Sequence, residues 1–232
     1  MKIGIIVATD QEIEETRKIL KNSVSQKIYG LEFFTGNIAD KNVILVKCGI
    51  GKVNAGRTAQ IMIDKFEPSY IVNIGAAGAI NPELNIKDIV IGNKLVQYDF
   101  DISSLGDSEK GEISGIGKYI KSNDKLVSIC EDVLENKMQR DFNYKIGIIA
   151  TADIFCSDKT VAEEVRKEFN AECVEMEGAA IAQVCYLDSI PFLVIRGISD
   201  SPNGNNGIDY YSYCNIAARQ SAKILENILK EL

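Results

Sequence analysis

Phe192-Leu193-Val194-Ile195-Arg196-Gly197-Ile198-Ser199-Asp200 opens with four consecutive apolar side chains and closes on a carboxylate. Such a run is too short and too continuous for an amphipathic helix and reads as a buried strand over Pro191–Ile198. An arginine amid apolar neighbours is costly to bury unless a carboxylate pairs with it. The stretch therefore predicts both a core strand and a charged partner for Arg196. It is preceded by Gly178–Leu187, an alanine-rich helical segment, and by a short strand over Cys173–Met176.

The same alternation extends along the whole chain. Lys2–Ala8 is apolar and β-branched, and Gln11–Leu20 follows as a helix with Asp10 in the capping position. Lys27–Phe34 and Asn42–Cys48 read as strands, Val53–Phe66 as a helix, and Tyr70–Ile74 as a buried strand stopping at Gly75-Ala76-Ala77-Gly78. Asp88–Ile91 begins a strand that continues toward Tyr98. The polar segment from Ser103 to Lys121 reads as a long surface loop. Lys125–Leu134 and Val161–Phe169 are helical, Ile146–Ala150 is a strand, and Tyr211–Leu229 closes the chain as an amphipathic helix. The pattern defines an α/β fold, one domain over residues 1–232, with a mixed or largely parallel central sheet flanked by helices. In such sheets ligands bind beyond the carboxyl ends of the strands.

Composition narrows the chemistry. The 232 residues carry 46 % hydrophobic and 25 % charged side chains and a formal net charge of −7. Without a basic stripe the chain does not read as a nucleic-acid binder, and its apolar runs are too short for a membrane span. The N-terminal run is cut short by Asp10, Glu12, Glu14 and Glu15, which favours a first strand over a signal peptide. Six scattered cysteines without a C-x-x-C pair point to reduced, buried thiols and a cytoplasmic location. There is no histidine. Ser-His-Asp and Cys-His machinery is excluded, as is a His-ligated metal, and proton handling falls to carboxylates without metal or cofactor.

Two glycine loops invite a ligand. Gly49-Ile50-Gly51-Lys52 is not a P-loop, because Val46 occupies the first glycine position. It is not a dinucleotide fingerprint either, since Asn54 replaces the last glycine; a tight strand-to-helix turn is the simpler reading. Gly75-Ala76-Ala77-Gly78 also reads as a turn, though its small residues let a ligand approach the backbone, with Ala76 and Gly78 as a candidate floor for a ribose. Carboxylates follow three strands: Glu12, the pair Glu175 and Glu177, and Asp200. Each has an ordinary structural alternative, namely helix-dipole compensation for Glu12, solvation for Glu175 and Glu177, and turn initiation for Asp200. Cleavage of an N-glycosidic bond would use them well. The purine must be protonated to leave, the oxocarbenium-like sugar gains from a nearby carboxylate, and the attacking water needs a base.

Glu12 after Met1–Ile6, Gly49-Ile50-Gly51-Lys52-Val53-Asn54-Ala55, Asn73–Gly78, Val174-Glu175-Met176-Glu177-Gly178-Ala179-Ala180-Ile181-Ala182 and Arg196–Asp200 together resemble the 5′-methylthioadenosine/S-adenosylhomocysteine nucleosidases, in order and spacing over essentially the whole chain. The resemblance implies a nucleoside phosphorylase-like three-layer sandwich. It implies that Asp200, helped by Ser199, protonates adenine N7, and that Glu12 activates water with Arg196 nearby. Glu177 would hold the ribose hydroxyls and Met176 would pack on the sugar. Phe155 would stack on adenine, the backbone of Cys156 would read the purine edge, and Tyr210 would close the site. Ile50, Ala76, Gly78 and Glu175 complete the implied substrate-binding set. The family is homodimeric, and Ile102 and Leu105 fall where a subunit lends apolar side chains to its partner's 5′ pocket.

The same fold serves purine and uridine phosphorylases, which must cradle phosphate with basic groups. At the positions where hexameric phosphorylases carry phosphate ligands, this chain has Asn73 and Ala76, and Glu12 would repel the anion. Hydrolysis is the expected reaction. Two departures from the family pattern bear on rate and specificity: Ala76, where relatives often have serine, and the loop Ser201–Gly207.

Overall fold

The computed structural model describes residues 1–200, the backbone of 206–211, and all of residues 212–232. Ten strands form one sheet: β1 (Lys2–Val7), β2 (Lys21–Ile28), β3 (Leu31–Ile38), β4 (Lys41–Lys47), β5 (Tyr70–Ala79), β6 (Ile89–Gln97), β7 (Ile120–Lys121), β8 (Tyr144–Thr151), β9 (Ala171–Glu175) and β10 (Phe192–Asp200). The helices are α1 (Asp10–Ile19), α2 (Lys52–Phe66), α3 (Asp124–Asp132), α4 (Lys159–Phe169), α5 (Gly178–Leu187) and α6 (Asn206–Glu231). The sheet is mixed, as the alternation predicts. β1 pairs in parallel with β4 and β5, and β10 with β5, whereas β10 runs antiparallel to β6 and β9 to β5.

What the sequence does not announce is closure. β10 is bonded on one side to β5 and on the other to β6, while β6, β8, β9 and β5 continue the ladder back to the start. These strands curl into a ring, with β1, β4, β3 and β2 as an open extension. Closure satisfies the ladder at both edges of β10. It also brings the ends of β5, β9 and β10 together.

Strand side chains alternate between two core layers. Ile3, Ile5 and Val7 pack with Leu126 and Cys130 of α3 and Ile224, Leu225 and Ile228 of α6. Ile6, Val46 and Ile71 pack with Ala55, Ala59 and Met62 of α2 and Ala179–Ala182 of α5. A smaller cluster seats α4 through Ala162, Val165 and Phe169.

Three local expectations are corrected. Lys27–Phe34 is not one strand. Tyr29 and Gly30 both adopt positive φ (49° and 86°), the pattern of a type I′ turn, and join β2 to β3 as a hairpin. β2 is exposed except at its last residue, the half-buried Ile28, so no buried alternation marked it. The strand begun at Tyr70 does not stop at Ile74 but runs through Gly75–Gly78 to Ala79. Finally, Thr9 rather than Asp10 caps α1. Its hydroxyl accepts from the Glu12 amide, and Glu12 reaches back to the Thr9 amide, a capping box.

Candidate active site

The loop after β1 and the C-terminal ends of β5, β9 and β10 surround a cavity of about 460 Å³, a size that suits a nucleoside-sized ligand. Its apolar lining comes from Ile50, Ile154, Phe155, Cys156 and Met176, and its carboxylates are Glu12, Glu175, Glu177 and Asp200. Ala76, Gly78 and Ser199 also line it.

Glu12 is pinned by backbone. Its Oε2 accepts from the amides of Ala8 (2.8 Å) and Thr9 (3.0 Å), and its Oε1 from the amide of Ala76 (3.0 Å). The capping box thus serves two ends, starting α1 and aiming a carboxylate at β5. Gly75 makes this approach possible, because a Cβ there would sit 2.7 Å from Glu12 Oε1. Asp200 ends β10 opposite Gly78, and a Cβ at Gly78 would lie 3.0 Å from Asp200 Oδ2. The two glycines, three apart on one strand, leave room for two carboxylates. Ser199 donates its hydroxyl to Asp200 Oδ1 at 2.7 Å.

Arg196 is fully buried and lies behind the cavity wall instead of lining it. Its guanidinium donates to Asn73 Oδ1 (2.5 Å), to the Ile195 carbonyl (3.1 Å) and to Glu175 Oε2, the carboxylate partner the sequence demanded. Burial works against the arginine's charge, but Glu175, Glu177 and Glu12 outweigh it and hold its ionisation above the ordinary value. Glu175 Oε2 also accepts from the amides of Glu177 (3.0 Å) and Gly178 (2.7 Å), and Oε1 accepts from the Thr151 hydroxyl. Glu175 therefore caps α5 as well as neutralising Arg196.

Glu177 is different. Its Oε1 accepts from the Gly51 amide at 2.9 Å. Burial, then the charge of Glu175, push its pKa up to about 8, against a weaker opposing pull from Arg196. Two neighbouring carboxylates thus stand in different electrostatic surroundings, the arrangement that separates acid from base roles.

The cavity brings together Glu12, Ile50, Ala76, Gly78, Phe155, Cys156, Glu175, Met176, Glu177, Ser199 and Asp200. Ile102 and Leu105 do not line it; Leu105 is exposed on a 3₁₀ turn at Ser103–Leu105. The side chain of Tyr210 and all of Ser201–Asn205 lie outside what the structure describes. Gly49-Ile50-Gly51 is the predicted turn, with both glycines at positive φ, and it is also a cavity wall. Thr151 and Ile154 escaped sequence reasoning, and Asn73 was read only as a position that cannot hold phosphate, not as a partner of Arg196. The available signals were a polar residue inside the apolar run of β5 and a threonine at the end of β8.

The phosphorylase superfamily profile matches residues 2–230, and the chain belongs to that superfamily. Within it, the chain is 37 % identical to the 5′-methylthioadenosine/S-adenosylhomocysteine nucleosidase of Geobacillus sp. (strain WCH70), covering 100 % of this chain and 99 % of that protein. The nucleosidase of S. pneumoniae, solved with the transition-state inhibitor MT-ImmA, superposes with a TM-score of 0.92 at 34 % identity, covering 99 % of each chain. The futalosine hydrolase of Helicobacter pylori strain 26695 superposes with a TM-score of 0.94 at 30 % identity, covering 100 % of this chain and 98 % of that one.

Proposed function

We propose that this protein hydrolyses the N-glycosidic bond of 5′-methylthioadenosine and S-adenosylhomocysteine, and of 5′-deoxyadenosine, releasing adenine and the 5′-substituted ribose. The reading rests on one observation above all: Glu12 and Asp200, reaching β5 through Gly75 and Gly78, line the same cavity. Asp200, in its protonated form and oriented by Ser199, gives its proton to adenine N7. The C1′–N9 bond breaks, its electron pair passing into the neutralised purine. Glu12 Oε1, which keeps a lone pair beyond its bond to Ala76, takes the proton of the water whose oxygen bonds C1′. Glu177 meets the ribose hydroxyls, Met176 packs on the sugar and Phe155 on adenine, with the backbone of Cys156 at the purine edge.

Hydrolysis is favoured over phosphorolysis because the described residues lining the cavity include no lysine or arginine. Arg196, buried behind the cavity, is engaged by Asn73 and Glu175. Residues 1–232 act as one domain in a homodimer, and Ile102 and Leu105, standing away from their own cavity, reach the partner's 5′ pocket. Tyr210 closes the site. The enzyme works in the cytoplasm, in methionine salvage and removal of S-adenosylmethionine by-products. Purified protein should release adenine from 5′-methylthioadenosine in phosphate-free buffer. A strict requirement for phosphate would overturn hydrolysis in favour of a phosphorylase.

A further inference from the structure

Lys52 follows the glycine loop but fits no phosphate-binding motif, and the structure gives it other work. Its Nζ donates to Gln97 Oε1 (3.1 Å), the last residue of β6, and to Asp99 Oδ1 (2.6 Å), two residues beyond it. Its backbone amide, at the start of α2, donates to Asp153 Oδ1 (2.7 Å). The Asp153 amide in turn donates to Asp99 Oδ2 (3.0 Å). Asp99 thus holds Lys52 with one oxygen and Asp153 with the other, and Asp153 closes the triangle onto the Lys52 backbone. Gln97 is braced by its own bond to Gln183 of α5 (2.6 Å).

Two corners of the triangle, Lys52 and Asp153, adjoin segments that line the cavity. Ile50 stands two residues before Lys52, and the Gly51 amide between them donates to Glu177. Ile154-Phe155-Cys156 follow Asp153 directly. Ile50 and Phe155 are 56 % and 46 % exposed, so core packing does not fix them. Lys52 and Asp99 are largely buried, which spares their pair most solvent screening.

We propose that Lys52, Asp99 and Asp153 form a clamp of positioning residues that sets the spacing between the Ile50–Glu177 wall and the Phe155 wall, and thereby nucleoside affinity. The assignment rests on the nucleosidase reading of the cavity. A clamp that shapes the walls acts on ground-state and transition-state binding alike, so its loss raises KM while sparing kcat. In the full-length protein, Asp99→Asn and Lys52→Met should each raise KM for 5′-methylthioadenosine and the calorimetric Kd for adenine about tenfold, with kcat within about twofold. The double variant should be no worse than the weaker single, because both changes break one link. Asp153→Asn supplies a third break should either variant fold poorly. Unchanged KM and adenine Kd alongside a lowered Tm would reduce the triangle to a structural brace and overturn the proposal, as would losses that add in the double variant. A wild-type protein that binds adenine yet hydrolyses nothing would sink the catalytic reading instead, leaving adenine Kd to decide the clamp.

Discussion

The polar end of β10 and the charged rim around β7 hold ion pairs of similar geometry in opposite settings. Arg196–Glu175 is sealed inside the molecule, its side chains 1 % and 2 % exposed, whereas Lys121–Asp124 is 64 % and 78 % exposed. At the rim, water competes for both partners and the pair contributes little. Inside, each charge has been stripped of water and depends on its partner, so the pair adds little net stability while removal of one member is severe. The same contrast separates the site's carboxylates from the many acidic side chains on the surface. Exposed carboxylates are interchangeable, but each of the buried ones has its own hydrogen-bond set and therefore its own chemistry.

The largest effects should appear where those buried groups meet substrate. Asp200→Asn and Glu12→Gln should each lower kcat by about 10³-fold or more, in line with the upper range for general acid–base groups. Single-turnover adenine release checks this, and a near-normal rate in either variant removes that residue from its role. Next comes the buried pair. Arg196→Met leaves Glu175 and Glu177 without their cation and should cost about 3–5 kcal/mol in denaturant unfolding; a loss below about 1 kcal/mol would erase the distinction drawn here.

A subtler effect follows from Glu177. Its folded-state pKa of about 8 lies above the ordinary 4.5, so between those values the folded protein holds a proton that the unfolded chain has released. The stability this contributes is fully present below about pH 4.5 and is lost as pH rises toward about 8. Unfolding free energy of wild type should therefore fall relative to Glu177→Gln across that window, and a constant difference would contradict the assigned shift. The smallest effect belongs to the rim: Lys121→Ala should change stability by no more than about 0.5 kcal/mol. A larger loss there would blur the comparison from the other side.

Legibility tracked this difference in environment. Strands buried in the two core layers, such as β1, β4 and β10, were visible as apolar runs, α2 as a periodic one and α5 as an alanine-rich one. The β2–β3 hairpin was not, because β2 is exposed up to Ile28 and Tyr29 is an unusual occupant of a type I′ turn. β5 was read too short because glycine and alanine ordinarily break a strand. Here Gly75 and Gly78 are small so that Glu12 and Asp200 can approach it. Glu12 looked like a helix-dipole residue and is indeed part of a capping box. Its second oxygen is what makes it more, and that oxygen meets Ala76, sixty-four positions away.

Residue types and their order along the chain were enough to establish an α/β protein and to direct attention to its carboxylates, since a chain without histidine has few other proton carriers near neutrality. They also required a buried partner for Arg196, because a lone charge among apolar residues does not stay folded. Which carboxylate would answer was decided only when the sheet closed, bringing β9 and β10 to the same end as β5. Closure is a property of strand pairing between distant segments, and local propensity carries no record of it. The same holds for the Lys52–Asp99–Asp153 triangle, whose corners lie at the start of α2, after β6 and after β8, and only the finished ring brings them together.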